Sequence, residues 1–348
     1  MKREDWQAAY GPIPDRLQER VSFTLSHLEK EEKIMKRAMI RTLCLAACAV
    51  LLLGATALAL TNSDIMKYLS QYSDTLNEEQ QQMIQSDFAE DPLMLGDVQV
   101  TLKELLTDGH VGAVSVEFRA PEGTFLYSDL VNMSEEEWSK TRADYLTEYG
   151  AYYWLLDSHI YFLHDGASEP ISSDWMMDGQ REASNVITAQ FVFSAVDQQF
   201  DQLQLKVGIA HVTGESEETD ERVTGYLTPA YTPDSSSEKT ISLTMPNCTN
   251  DPGSVASIDI TFTKLITMFK ATLESTDGHY YSLKISDVNG EELNYTLLSS
   301  IINSCEGNIV LTAYDAMDEI PDLLYAQIYR LGENGNTPIG ERIELKLK

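Results

Sequence analysis

The sequence predicts a mainly β protein: an amphipathic helix and a single membrane-spanning helix, then two β-sandwich domains, the first with an inserted helix. Three observations carry this. Thr42 to Leu60 (TLCLAACAVLLLGATALAL) is a run of nineteen uncharged residues. As a helix it would extend about 28 Å, close to the roughly 30 Å hydrocarbon core of a bilayer. From Asp97 onward, short runs with apolar residues at alternate positions recur between Asp-Gly and Asn-Gly turn pairs. Thr228 to Ser237 (TPAYTPDSSS), rich in Pro and Ser, divides those runs into two groups. The expected organisation is a tail over 1–37, a span with its flanks over 38–61 and a helical stalk over 62–95. A first β-rich domain over 96–227, a linker over 228–239 and a second sandwich over 240–348 follow.

The tail opens with Trp6 and the run Tyr10-Gly11-Pro12-Ile13-Pro14. Proline near the first helical position followed by Asp15 is a helix-start signal. Leu17, Val21, Thr24, Leu25 and Leu28 then fall on one narrow apolar stripe, with Glu19, Arg20, Lys30, Glu31 and Glu32 away from it. A segment too short to own a core buries such a stripe only against something else. That could be another protein, the membrane surface or a second copy; the plainer reading is a helix that merely continues into the span. Trp6, Tyr10, Leu17, Val21, Leu25 and Leu28 are the candidate partner-binding residues.

Lys30, Lys33, Lys36, Arg37 and Arg41 crowd the front of the apolar run, whereas the stretch behind it offers Lys67 and little else. The positive-inside rule therefore places the tail in the cytoplasm and everything after Leu60 outside, as a single-pass protein of the cell membrane. Ala57-Leu58-Ala59 resembles a signal-peptidase site and Leu45-Ala46-Ala47-Cys48 a lipobox. The first would need an n-region of about forty residues, far beyond the usual pattern. Cys48 lies in the middle of the apolar run, which leaves an uncleaved anchor as the better account.

The chain carries a net charge of −30, and the acidity is one-sided. Met1 to Arg41 holds nine Lys and Arg against seven Asp and Glu, so the remainder stands at −32. Such a surface repels nucleic acid and anionic lipid, and no basic stripe offsets it. Its acidity suits cation binding, tuning to a cell-wall environment, or plain solubility. Of four cysteines, Cys44 and Cys48 share one face of the apolar helix, while Cys248 and Cys305 flank predicted strands in a disulfide-permitting compartment. A bridge between Cys248 and Cys305 is open on this basis, since spacing does not fix a Cα separation.

Beyond the span, Ser63 or Asp64 can cap a helix with Ile65, Leu69, Tyr72 and Leu76 on one side, and a second helix starts after Asn77. Together they form a stalk expected to pack on the first domain. Val98, Val100 and Leu102 alternate into the Asp108-Gly109 hairpin signal, and Val111 to Phe118 return. Ser134 with Glu137 makes a capping box for a helix that Gly150 stops, with Trp138, Tyr145 and Leu146 on its buried side. Tyr152 to Leu156, His159 to His164, Val186 to Phe193 and Leu203 to Ile209 read as further strands, and Gly214 to Arg222 as an exposed loop. In the second domain strands are expected around Ile241, Ile258, Leu283, Ile309, Leu324 and Ile343, with turns at Asn289-Gly290 and Asn334-Gly335. About 110 residues of short strands is the size of one immunoglobulin-like sandwich.

Catalytic signatures are absent from the sequence. The six histidines form neither HExxH nor a zinc-finger pairing with cysteine, and neither GxSxG nor a P-loop occurs. His159 and His164 border one strand at odd spacing and so face opposite sides. Asp287 to Glu292 lacks the acidic register of a calcium loop and reads as a solvated turn. Tyr152, Tyr153 and Trp154 could form a ligand platform, although aromatics on strands are more often packing. No enzyme, metal or cofactor is expected.

Trp6, Tyr10-Gly11, Pro14, Val21 and Leu25 before the span, with Val98, Val100-Thr101, Lys103-Glu104 and Asp108-Gly109 after it, resemble a family of Gram-positive single-pass membrane proteins. These carry the domain of unknown function 4179, and the likeness covers about the first two hundred residues. The C-terminal domain resembles immunoglobulin-like modules that often follow it. The resemblance implies an anti-sigma-factor-like regulator, a cytoplasmic sigma factor as partner, and an extracellular ligand it does not identify. The zinc-type anti-sigma signature of a His followed by CxxC is absent from 1–37, so a sigma factor would have to take the tail as a lone amphipathic helix.

Overall fold

Alternation in the strands, set by the β-pleat, builds two largely antiparallel sandwiches, with Leu126–Tyr127 and Tyr152–Leu155 of the first paired in parallel, in the computed structural model. It describes residues 63–348 except 73–75, 87, 89–90, 130, 132–136, 138, 157, 165–166, 170–175, 196–201, 230–237, 246–250 and 333–334. The apolar run of 42–60, the tail stripe with Trp6, Tyr10, Leu17, Val21, Leu25 and Leu28, and Cys248 lie outside the described residues. Among the described residues no helix is long and apolar enough to cross a membrane.

Two short helices lead in. α1 (Asp64–Gln71) starts at Ser63, whose hydroxyl accepts from Met66 N at 3.1 Å, and buries Ile65, Tyr68 and Leu69. α2 (Glu78–Gln82) starts at a reciprocal capping box of Asn77 and Gln80, so both expected starts are observed. Tyr72, expected on the buried stripe, is 41% exposed because α1 has ended before it.

The first sandwich pairs β1 (Leu93–Leu95), β2 (Val98–Thr107), β3 (Val111–Arg119), β9 (Val186–Ser194) and β8 (Met176–Ala183) in the order β1-β2-β3-β9-β8. Its other sheet holds β4 (Leu126–Tyr127), β5 (Tyr152–Leu155), β10 (Gln202–Val212), β6 (His159–His164) and β7 (Ala167–Glu169), with β11 (Glu221–Leu227) along the far edge of β10. Val100, Val116, Phe118, Phe191, Leu205 and Ile209 are among the residues filling the space between the sheets. The inserted helix α3 (Arg142–Tyr149) begins later than expected. Thr141 and Asp144 form its capping box, while Gly150, at φ 76°, ends it as predicted. The stretch read as an exposed loop ends at Asp220, where β11 begins. That edge strand, like β8, carries too few apolar residues to announce itself.

The second sandwich stacks β12 (Lys239–Thr244), β13 (Val255–Phe262), β14 (Ile266–Leu273), β17 (Ile309–Asp315) and β16 (Asn303–Glu306) against β15 (Tyr281–Ser286), β18 (Leu323–Arg330) and β19 (Thr337–Lys346). Phe269, Tyr281, Ile285 and Ile328 lie at its centre. A one-turn helix, α4 (Leu297–Ser300), precedes β16. Tyr314 sits deep in this sandwich, where its hydroxyl oxygen accepts from Ile285 N at 2.9 Å; burial pushes its phenol up to about 12. Cys305, unbridged among the described residues, is half-buried, and its Sγ accepts from Tyr281 N at 3.4 Å.

At one end of this sandwich Asp277 accepts from Tyr281 Oη at 2.6 Å, sits 2.9 Å from His279 Nδ1 and 3.2 Å from Arg330. The tyrosine hydroxyl first, then His279, hold its carboxyl well below the ordinary 3.8. A depressed folded-state value adds stability that is complete above the ordinary value and disappears as pH falls through the folded one. Asp277→Asn should therefore lower the unfolding midpoint at pH 7. Urea titrations at descending pH should show the gap to the native protein closing below about pH 3.8, the value at which an unfolded carboxyl begins to protonate. A gap that does not change with pH would assign the loss to packing instead.

Candidate functional site

The place where the chain enters the described fold is built around a bulge. In β2 the pairing with β3 slips between Leu102 and Glu104, so Lys103 points to solvent while Glu104 turns inward. Its carboxylate accepts from Ser63 Oγ and from Ile65 N, each at 2.8 Å. Ser63 Oγ in turn accepts from Met66 N, so one buried carboxylate and one hydroxyl take up two of the otherwise open amides in the first turn of α1. The negative charge also sits at the favourable end of the helix dipole.

Beyond the bulge both faces of β2 are covered. Leu105 faces the core of the first sandwich, while Leu106 joins a second apolar cluster. That cluster takes Ile65, Tyr68 and Leu69 from α1, Val111 and Val192 from the first sandwich, and Ile266, Leu298 and Leu311 from the second. The stalk was expected to pack on the first domain; it packs on both, because the outer face of one sheet from each sandwich meets it. The two sandwiches therefore belong to one compact unit, Asn62–Lys348.

A polar bolt lies beside this cluster. Asp108, at the tip of the β2–β3 hairpin, accepts from His110 N at 2.9 Å and Val111 N at 3.0 Å through Oδ1. Through Oδ2 it accepts from Thr263 Oγ1 and from Leu265 N in the β13–β14 turn. Gln80 Nε2 donates to Lys264 O at 2.9 Å, and Lys264 Nζ lies 3.5 Å from Glu79, so α2 grips the same turn. Buried His110 faces Glu238, at the start of the second sandwich, with 3.5 Å between Nε2 and a carboxylate oxygen. Local sequence contains no sign of the distant partners of Glu104 and Asp108.

The aromatic triplet separates by alternation. Tyr153 enters the core, stacks on His211 with centroids 4.7 Å apart and donates to Asp97. Tyr152 and Trp154 point to the other side, where Tyr145 and Phe125 of a satellite cluster cover Tyr152. Arg181 lies over the Phe125 ring at 4.4 Å, and burial lowers its guanidinium from the usual range. Asp287 holds its own turn by accepting from Asn289 N and Glu291 N, both at 2.9 Å, as a solvated turn should. Among the described residues no three or more His, Cys, Asp or Glu side chains gather as a metal site would require.

No protein-family model matches the chain, and no curated protein matches it. Among solved structures, the crystal structure of the conserved domain protein from Bacillus anthracis aligns over 82% of this chain and 99% of its own, with a TM-score of 0.45 and 10% sequence identity.

Proposed function

We propose that the chain is a membrane-anchored envelope regulator whose acidic β domains, the second immunoglobulin-like, lie outside the cell. Its cytoplasmic stripe of Leu17, Val21, Leu25 and Leu28 holds a partner, for which the resemblance to the domain-4179 family favours a sigma factor. One observation supports coupling between the two sides: Glu104 holds Ser63 and Ile65, directly after the apolar run, in a cluster shared by both sandwiches. A ligand that shifts either sandwich would shift Ser63 and α1 with it, whereas a loosely attached segment would absorb the shift.

The test uses the full chain in its host. Capture of the native protein should recover a sigma factor, and Val21→Asp with Leu25→Asp should abolish recovery without changing membrane insertion. Glu104→Ala leaves two buried donors without an acceptor, at about 1–3 kcal/mol each. It should leave capture intact but change the sigma-dependent reporter output. If deleting residues 1–29 leaves transcription unaltered, the chain is a passive envelope-binding module on an anchor.

A further inference from the structure

The outward face of the second sheet of the first sandwich has a character unlike the rest of this acidic chain. Leu203, Leu205, Val207 and Ile209 of β10 point into the core, so Gln204, Lys206 and Gly208 point out. Register places Tyr161 beside Gln204, Tyr226 beside Lys206, Thr224 beside Gly208 and Trp154 beside Ala210. Trp154 is half-buried with its edge supported by Tyr127 at a centroid separation of 6.0 Å, and Tyr161 is half-buried as well. Tyr226 is 51% exposed. At about 3.4 Å per residue, Trp154 and Tyr161 lie about 20 Å apart along the sheet, and Tyr226 lies about 12 Å from Tyr161 across it.

Between these rings Gly208 is buried. Gly208 has no side chain, and a Cβ there would lie 3.2 Å from the Leu156 Cβ, so Leu156 forms an apolar floor. None of the described outward positions on β5, β6, β10 and β11 holds a carboxylate, although the chain carries 55 Asp and Glu. The cation Lys206 stands near the middle. We propose that this face binds a polysaccharide strand, with pyranose rings laid on Trp154, Tyr161 and Tyr226 and their hydroxyls met by Gln204, Lys206 and Thr224.

The chemistry selects this occupant. Pyranose rings present C–H faces that pack on aromatic planes and hydroxyls that need both donors and acceptors, which the amide, ammonium and hydroxyl groups here supply. A protein partner would favour a contiguous apolar patch, but these rings are separated by polar side chains. Nucleic acid would also stack, yet a chain of net charge −30 repels it. The face does not depend on what the tail binds.

Sedimentation of the purified full chain with insoluble chitin, cellulose and bacterial peptidoglycan tests the proposal. The native protein should pellet with at least one of them. Tyr161→Ala with Tyr226→Ala should weaken that binding about tenfold or more. The single Tyr226→Ala, at an exposed position where folding is not at stake, should weaken it with an unchanged thermal midpoint. Tyr280→Ala, 70% exposed on the second sandwich, should bind as the native protein does. Val21→Asp with Leu25→Asp should also pellet normally, which separates this face from the tail. Native protein that pellets with none of the three polymers, or undiminished binding by the double tyrosine variant, would overturn the proposal.

Discussion

Asp108→Ala is expected to uncouple the two sandwiches. The carboxylate accepts from His110 N and Val111 N within its own hairpin and from Thr263 Oγ1 and Leu265 N of the other sandwich. Alanine leaves those donors in a site where Asp108 is only 8% exposed. Each orphaned buried donor costs about 1–3 kcal/mol, and relaxation recovers part of the sum, so a net loss of about 4 kcal/mol is expected. Asp108→Asn should cost less, because it keeps one carbonyl oxygen and the Thr263 hydroxyl can rotate to accept from the new amide. The loss should also show in cooperativity. All four tryptophans, Trp6, Trp138, Trp154 and Trp175, precede the second sandwich, so tryptophan fluorescence follows only the front of the chain. In the native protein its urea midpoint should coincide with that of far-UV circular dichroism; in Asp108→Ala the two should separate. Coincident midpoints in the variant would mean that the remaining contacts, the apolar cluster with the Gln80–Lys264 and His110–Glu238 pairs, hold the sandwiches together without it. Thr263→Val tests the same bond from its other side, and a double-mutant cycle with Asp108→Ala should give a coupling of about 1–3 kcal/mol.

This joint marks the limit of what the sequence makes legible. The Asn77 box, the Ser63 cap, the Asp108-Gly109 hairpin and the Gly150 stop are all local signals, and the fold uses each of them. Strand β9, by contrast, is buried at every position, since one side faces the core and parts of the other are covered by neighbouring elements. A strand covered on both sides loses its alternation, and the sequence VITAQFVFS accordingly alternates poorly. Strands β8 and β11 escape notice for the opposite reason: each ends its sheet, and charged, polar and small residues interrupt the few apolar ones in MMDGQREA and ERVTGYL. The site was less legible still. Glu104 reaches a backbone amide 39 residues earlier, and Asp108 a hydroxyl 155 residues later. Nothing in Lys103-Glu104 or Thr107-Asp108 distinguishes them from ordinary hairpin residues until the bulge and the second sandwich are in place. The aromatic face lay between these cases: Tyr152, Tyr153 and Trp154 were visible as a group, but alternation assigns them to opposite faces, and Tyr226 joins only through pairing of β10 with β11.

Gly112→Ala should disrupt the first sandwich more than its single methyl suggests. Gly112 lies in β3 beside the hairpin tip, paired with Thr107 on one side and Phe193 on the other. A Cβ there would meet Leu106 O at 2.3 Å, the Phe193 Cζ at 2.5 Å and the Thr107 Cβ at 2.8 Å. The phenyl ring could give way at some packing cost, but the Leu106 carbonyl belongs to the backbone of the adjacent strand. Relief would require β2 and β3 to part at the point where Leu106 and Asp108 make the contacts that join the two sandwiches. Overpacking of a core costs about 1–3 kcal/mol and more where backbone must move, so the upper end, about 3–4 kcal/mol, is expected. For a unit of this size that lowers the melting temperature by about 5–7 °C. Gly208→Ala is the control, since its added methyl would meet only the Leu156 side chain, at 3.2 Å and beyond. Phe193→Leu in the Gly112→Ala background separates the two obstructions. It frees the space at Cζ but leaves the Leu106 oxygen in place, so recovery should be partial; full recovery would make the ring, and not the backbone, the source of the strain.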